Sequence, residues 1–215
     1  SMLLFPSYFL QVRGEGTLAT GLLLAPQGLG AMLTMPIAGR LTDRIGPGKL
    51  VLTGLGVIVV GMLVFTQIDA TTSYGLLLPA LFVMGLGMGM TMTPIMSAAM
   101  GSLQQREVAR GSTAMNIVQQ AAGSVGTAVM SVLLTNRVLD DPAAAAYMGV
   151  MQGQVPAEAV PPEILAAGIS GLAGSFGFTF TVATILIACC LGPALLLPRK
   201  PVASAEPTAT PTLTH

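Results

Sequence analysis

Charge is scarce in this sequence. Of its 215 residues only 8% are Asp, Glu, Lys or Arg, against roughly 25% in a soluble domain. So few charges cannot coat a water-exposed surface, which excludes a soluble globular domain and leaves an integral membrane protein. The 9 basic and 9 acidic residues cancel, so no positive surplus exists to displace counterions from a nucleic acid, and none is expected as a partner. Histidine occurs once, at His215. The 2 cysteines, Cys189 and Cys190, are adjacent within an apolar run. Neighbouring residues on a helix point to different faces, so these two are not a normal disulfide or metal pair and read as small apolar fillers. There is no Ser-His-Asp set, no metal cluster and no Gly-rich phosphate loop ending in Lys-Ser/Thr. No enzyme activity, cofactor or metal is expected.

Apolar residues fill that space: 53% of the chain, with mean hydropathy +0.77. A span needs roughly 20 apolar residues to cross about 30 Å of hydrocarbon. Five runs qualify, at 18–38, 50–68, 75–100, 112–134 and 171–197, and none contains Asp, Glu, Lys, Arg or His. Their interior Gly and Pro are tolerated in membrane helices. Strands of a β-barrel would alternate polar and apolar residues over about ten positions, and these runs do not. The opening run, residues 1–10, has half the necessary length and lacks the basic start and small-residue cleavage site of a signal peptide. It reads as the end of a helix that begins outside the chain. The expected fold is all-α and polytopic, with five complete spans and the end of a sixth. Residues 201–215, rich in Pro, Thr and Ala, are expected to be a disordered tail.

The connections carry an asymmetry. Alternate ones hold Arg40, Arg44, Lys49, Arg106, Arg110, Arg199 and Lys200, while the opposite set holds Arg13 and Arg137. By the positive-inside rule the richer side is cytoplasmic, which places the C-terminus there; the membrane is expected to be a bacterial plasma (inner) membrane. Glu15, Asp69, Asp140, Asp141, Glu158 and Glu163 fall on the external side. Within the long external connection 135–169, Asp141 and Pro142 are suited to cap and begin a short surface helix. A second short helix is expected in the Pro-interrupted "VPAEAVPPEILAAG".

The most charged short stretch, "GRLTDRIGPGKL" at 39–50, joins the first two complete spans. Gly39-x-Leu41-x-Asp43-Arg44-x-Gly46 resembles the cytoplasmic loop signature G-x-L-x-D-R-x-G-R-K of the major facilitator superfamily. The spacing has a physical reading. Gly39, expected at the helix end, permits close helix approach, Asp43 is favoured by the dipole of a neighbouring helix N-terminus, and Gly46 allows the turn. Pro47 and Gly48 stand where the signature is basic, and Lys49 supplies the charge one place later. "FPSYFLQVRGEGTLATGLLLAPQGLGAMLTMPIAGRLTDRIGP" and "REVARGSTAMNIVQQAAGSVGTAV" are similar to the second half of the fourteen-span drug:proton antiporters of the EmrB/QacA type. The resemblance implies a C-terminal transporter half lacking its N-terminal partner half, with residues 1–10 ending the ninth span. It implies export of small amphipathic compounds against protons, with Gly39, Asp43, Arg44, Gly46 and Lys49 as a gating loop. It also implies that the proton-carrying acid lies in the missing half, in keeping with the absence of Asp, Glu and His from the five runs.

Within the spans, polar side chains face protein or water far more often than lipid. Gln27, Asn116, Gln119 and Gln120 are the candidates for a substrate path, and Asn116 and Gln120 share a helix face. Interhelical hydrogen bonding is the alternative reading of the same residues. Met32, Met35, Met84, Met88, Met90 and Met92 suit either a permissive apolar pocket or ordinary packing. Gly85-x-x-x-Gly89 and Gly123-x-x-Gly126 are expected at close helix contacts. Competing functions are a superfamily transporter of another solute and a non-transporting membrane fragment or assembly partner.

Overall fold

The computed structural model describes residues 4–101, 108–156 and 159–195. Among them every regular element longer than one turn is an α-helix: α1 (Leu4–Gln11), α2 (Thr17–Ile45), α3 (Pro47–Phe65), α4 (Tyr74–Gly101), α5 (Val108–Leu139), α6 (Pro142–Met151) and α7 (Pro162–Ala194). Five of these, α2, α3, α4, α5 and α7, are long and apolar enough to cross a membrane. The expected tail at 201–215 lies outside the described residues, as do Arg106, Glu158, Arg199 and Lys200.

Helix ends do not coincide with the ends of the apolar runs: α3 stops at Phe65, short of 68, and α7 at Ala194, short of 197, while α2, α5 and the start of α7 reach beyond theirs. α2 continues from the run ending at 38 through Arg40, Asp43 and Arg44 to Ile45. The reason is local: nothing between Ala38 and Ile45 breaks a helix except Gly39, which a long helix absorbs at about 1 kcal/mol. Gly39 is thus inside α2 rather than at its end, and a methyl group there would meet the Thr93 side chain at an ordinary 3.9 Å. The second short helix expected near 156–169 is instead the opening of α7, which runs 33 residues from Pro162, or about 50 Å at 1.5 Å per residue. Pro162 occupies the first turn, where its missing N–H costs nothing. α6 forms as the residues dictate, with the Asp141 side chain accepting from the Ala143 and Ala144 amides at 3.0 and 3.3 Å. It packs on α7 rather than standing free at the surface, and Ala144 is fully buried.

α4 is the centre of the packing, held between α2 on one side and α3 on the other. The run "GLGMGM" from Gly85 makes this possible. Gly85 and Gly89 share one face, and a side chain on either would collide with α2, at the Gln27 carbonyl and the Thr34 hydroxyl. Gly87 lies on the other face, 2.6 Å in projected Cβ distance from the Gly54 carbonyl of α3. Gly30 and Gly54 answer from α2 and α3, so backbones pack on backbones, where dispersion contacts do most in lipid. The hydroxyl of Thr34 donates across the gap to the Leu86 carbonyl at 3.1 Å. Gly123 and Gly126, by contrast, have nothing within 4 Å of where a side chain would begin.

An aromatic core ties α1, α3 and α7 together. Phe5 meets Phe65 edge-on at 4.8 Å and stacks on Phe180 at 5.0 Å, and Tyr8 meets Phe176 at 5.9 Å. Such pairs add about 0.5–1.5 kcal/mol each beyond burial. α2 and α5 are the exception: little of α2 and almost none of α5 is covered by the rest of the bundle.

Candidate functional site

The α2–α3 turn is a single residue. Gly46 has φ 86° and ψ 151°, donates its amide to the Thr42 carbonyl at 3.0 Å, and is followed by Pro47 at the start of α3. The positive φ is open to glycine and strained for other residues, and the extended ψ is what the following proline demands. Thr42 is buried and returns its hydroxyl to the Ala38 carbonyl at 2.6 Å. Pro47 and Gly48, which stand where the signature is basic, are buried at the start of α3. Lys49 and Arg44 are exposed. Arg40 and Arg44, one helical turn apart, flank a shallow cleft of about 440 Å³ with Ile37 and Leu41. Asp43 is in the last turn of α2, and its side chain lies outside the described set.

The polar candidates of the spans divide into three places. Gln27 is half-buried where α2 crosses α4, its amide donating to the Met88 thioether at 3.4 Å; sulfur is a weak acceptor. Gln119 lines an open cleft of about 500 Å³ with Met92, Thr93, Met96 and Ser97 of α4. Gln120 belongs to a different groove of about 660 Å³ with Gly123, Ser124, Thr127, Ala128 and Ser131. Asn116, exposed like its neighbours, precedes Gln120 by one turn and continues that stripe. Val118, Val125 and Val132, all more than half exposed, recur at seven-residue intervals on the opposite face. α5 is therefore two-faced, with a polar, small-residue side and a valine side. Among the methionines, Met84 is core, 2% exposed, while Met92 and Met32 are open.

Sequence reasoning missed a second cluster, at the opposite end of the bundle from Gly46. Arg13 donates to the Tyr74 hydroxyl at 3.1 Å and to the Ala70 carbonyl, its guanidinium lying 4.3 Å over the Tyr74 ring. Tyr74 in turn donates to Glu15. Tyr8 donates to the Asp69 carbonyl at 3.0 Å, and Tyr147 of α6 reaches the Gln11 carbonyl at 3.4 Å. These bonds lace the α1–α2 connection to the α3–α4 connection and to α6. The available signal was rarity: Arg13 is one of two basic residues on that side of the charge division.

Several hydroxyls inside the helices are satisfied locally, whereas that of Thr20, buried in α2, has no partner among the described residues. Thr91, Thr179, Thr181 and Thr184 each donate to the carbonyl four residues back, as a waterless surrounding requires. Long apolar helices, internally closed polar groups and turns tied at both ends define a multi-pass helical membrane protein. Residues 1–127 match the Major Facilitator Superfamily, and the chain belongs to that family. It is 39% identical over 213 residues to a multidrug resistance protein B homolog of Mycobacterium tuberculosis strain H37Rv, covering 93% of this chain and 39% of that protein. It is 31% identical over 192 residues to the lincomycin resistance protein LmrB of Listeria monocytogenes, covering 89% of this chain and 38% of that one. A puromycin resistance protein of Streptomyces alboniger is 32% identical over 152 residues, with 68% and 29% covered. The chain thus spans about two-fifths of the length of the first two relatives.

Proposed function

We propose that the chain is the C-terminal half of a proton-coupled exporter of amphipathic compounds, and that the polar face of α5 is a wall of its substrate path. The observation that carries this reading is the two-faced α5. A stripe of Asn116, Gln120, Ser124, Thr127 and Ser131 is costly against lipid tails and suited to a watered passage. The cleft beside Gln119 adds flexible methionines, which adapt to ligands of varied shape. The relatives' names as drug-resistance proteins favour the same reading. The uncovered faces of α2 and α5, together with the two-fifths coverage, support a second half seated on them. The acid that carries the proton belongs to that half, because the apolar runs of this one contain no Asp, Glu or His. The α2–α3 end is cytoplasmic on the distribution of basic residues.

In this reading Asp43 and Arg44 act on the balance between two conformations rather than on the ligand, because they stand at a helix end. The test is Asp43→Asn in the intact transporter, at equal membrane abundance. Export of an amphipathic dye should fall about tenfold, the effect of roughly 1.4 kcal/mol on one conformation, with dye binding changed by no more than a few-fold. Unchanged export, or a loss traced to abolished binding, would remove the gating role. Replacing Asn116 and Gln120 together by Leu should instead weaken binding itself.

A further inference from the structure

Near the α6 end of the bundle, α5 and α7 diverge around a cavity of about 380 Å³ lined by Arg137, Asp140, Asp141, Gly171, Gly174 and Ser175. Its charges are opposite, and they do not pair. Arg137 is only three and four residues before the two aspartates, which follow the end of α5 at Leu139. Yet the guanidinium turns away and lies 5.0 Å over the Phe178 ring of α7. Asp141 spends Oδ1 on the amides of Ala143 and Ala144. Its Oδ2 occupies the place where a Gly171 side chain would stand. Gly174 opens the floor, with nothing within 4 Å of its missing side chain. The result is an open space with a cation on one wall and carboxylates on another, Arg137 and Asp140 both being exposed.

We infer that this cavity binds the headgroup of a phospholipid that carries a primary ammonium, the phosphate on Arg137 and the ammonium on Asp140 and Asp141. A planar guanidinium presents paired N–H donors to phosphate oxygens, and the Phe178 face holds it in place. A purely anionic headgroup leaves the two carboxylates unanswered, and a quaternary choline ammonium has no N–H to donate to them, which disfavours both. Depth agrees with this occupant. Arg137, Asp140 and Asp141 follow the end of the α5 apolar run at 134, and Gly171 opens the apolar run of α7, so the cavity stands at the edge of the hydrocarbon layer. Below it the surface turns apolar: Phe178 is 44% exposed and Ile185, two turns deeper on the same face, 56%. Acyl chains fit that strip.

The test uses the full 215-residue chain in nanodiscs of phosphatidylethanolamine, phosphatidylcholine or phosphatidylglycerol. Lipids retained after mild detergent extraction are counted by native mass spectrometry. The ethanolamine lipid should be retained about tenfold more than the other two. Asp140→Asn, which leaves the α6 cap intact, should reduce that preference to parity, and Arg137→Gln should lower retention of every lipid. Helicity by circular dichroism confirms that each variant is folded. Equal retention of the three lipids by the unaltered chain overturns the assignment. So does displacement of the lipid by soluble phosphoethanolamine at matched concentration, which would make the occupant a free zwitterion.

Discussion

Gly46 makes the whole turn between α2 and α3, and its backbone angles lie in a region that only glycine occupies without strain. Gly46→Ala should therefore cost of order 1–3 kcal/mol, read as a lower midpoint in detergent-induced unfolding; an unchanged midpoint would mean that the turn can be made another way. The Tyr74 hydroxyl stands between Arg13 and Glu15. Tyr74→Phe keeps the ring beneath Arg13 and deletes both bonds. It should destabilise by about 1–3 kcal/mol, and Arg13→Ala should cost more because the Ala70 carbonyl also loses its partner. At this scale the sequence was informative where one residue type has one physical use. Gly46 as the turn and Asp141 with Pro142 as a helix start were legible. The Arg13–Tyr74–Glu15 lacing was not, because its partners are some sixty residues apart in the chain and no local pattern joins them.

Helices show the same division. Their number and apolar centres follow from the hydropathy of the runs, but their ends do not. Hydropathy locates the lipid, whereas helix ends are set by backbone geometry, so α2 and α7 continue beyond their apolar runs until Gly46 and Pro162 interrupt them. The glycine pairs make the limit plain. Gly85-x-x-x-Gly89 and Gly123-x-x-Gly126 look equivalent as small-residue spacings, yet the first is pressed against α2 and the second is open. Spacing identifies a smooth face but not the neighbour that covers it. Gly85→Ala should force α2 and α4 apart, since the obstacle is the Gln27 backbone rather than a movable side chain. The expected loss is about 1–3 kcal/mol and a reduced yield of folded protein in membranes. Gly123→Ala in this chain alone should be neutral within about 0.5 kcal/mol. If instead the same substitution impairs the intact transporter, that face is engaged there by substrate or by the second half.

For the molecule as a whole, the proposed account rests on what faces α5. Its valine side and its polar side are equally uncovered here, and only one of them suits water and substrate. The direct measurement is thiol accessibility along α5 in the intact transporter, in a background with Cys189 and Cys190 replaced, since both are exposed. Single cysteines are placed at Gln120, Ser124 and Thr127 on one face and at Val118, Val125 and Val132 on the other. A membrane-impermeant thiol reagent should modify the first set and leave the second set unmodified, and an exported compound should slow the first set at least several-fold. Equal reactivity of both faces, or protection confined to the valine positions, would contradict the account.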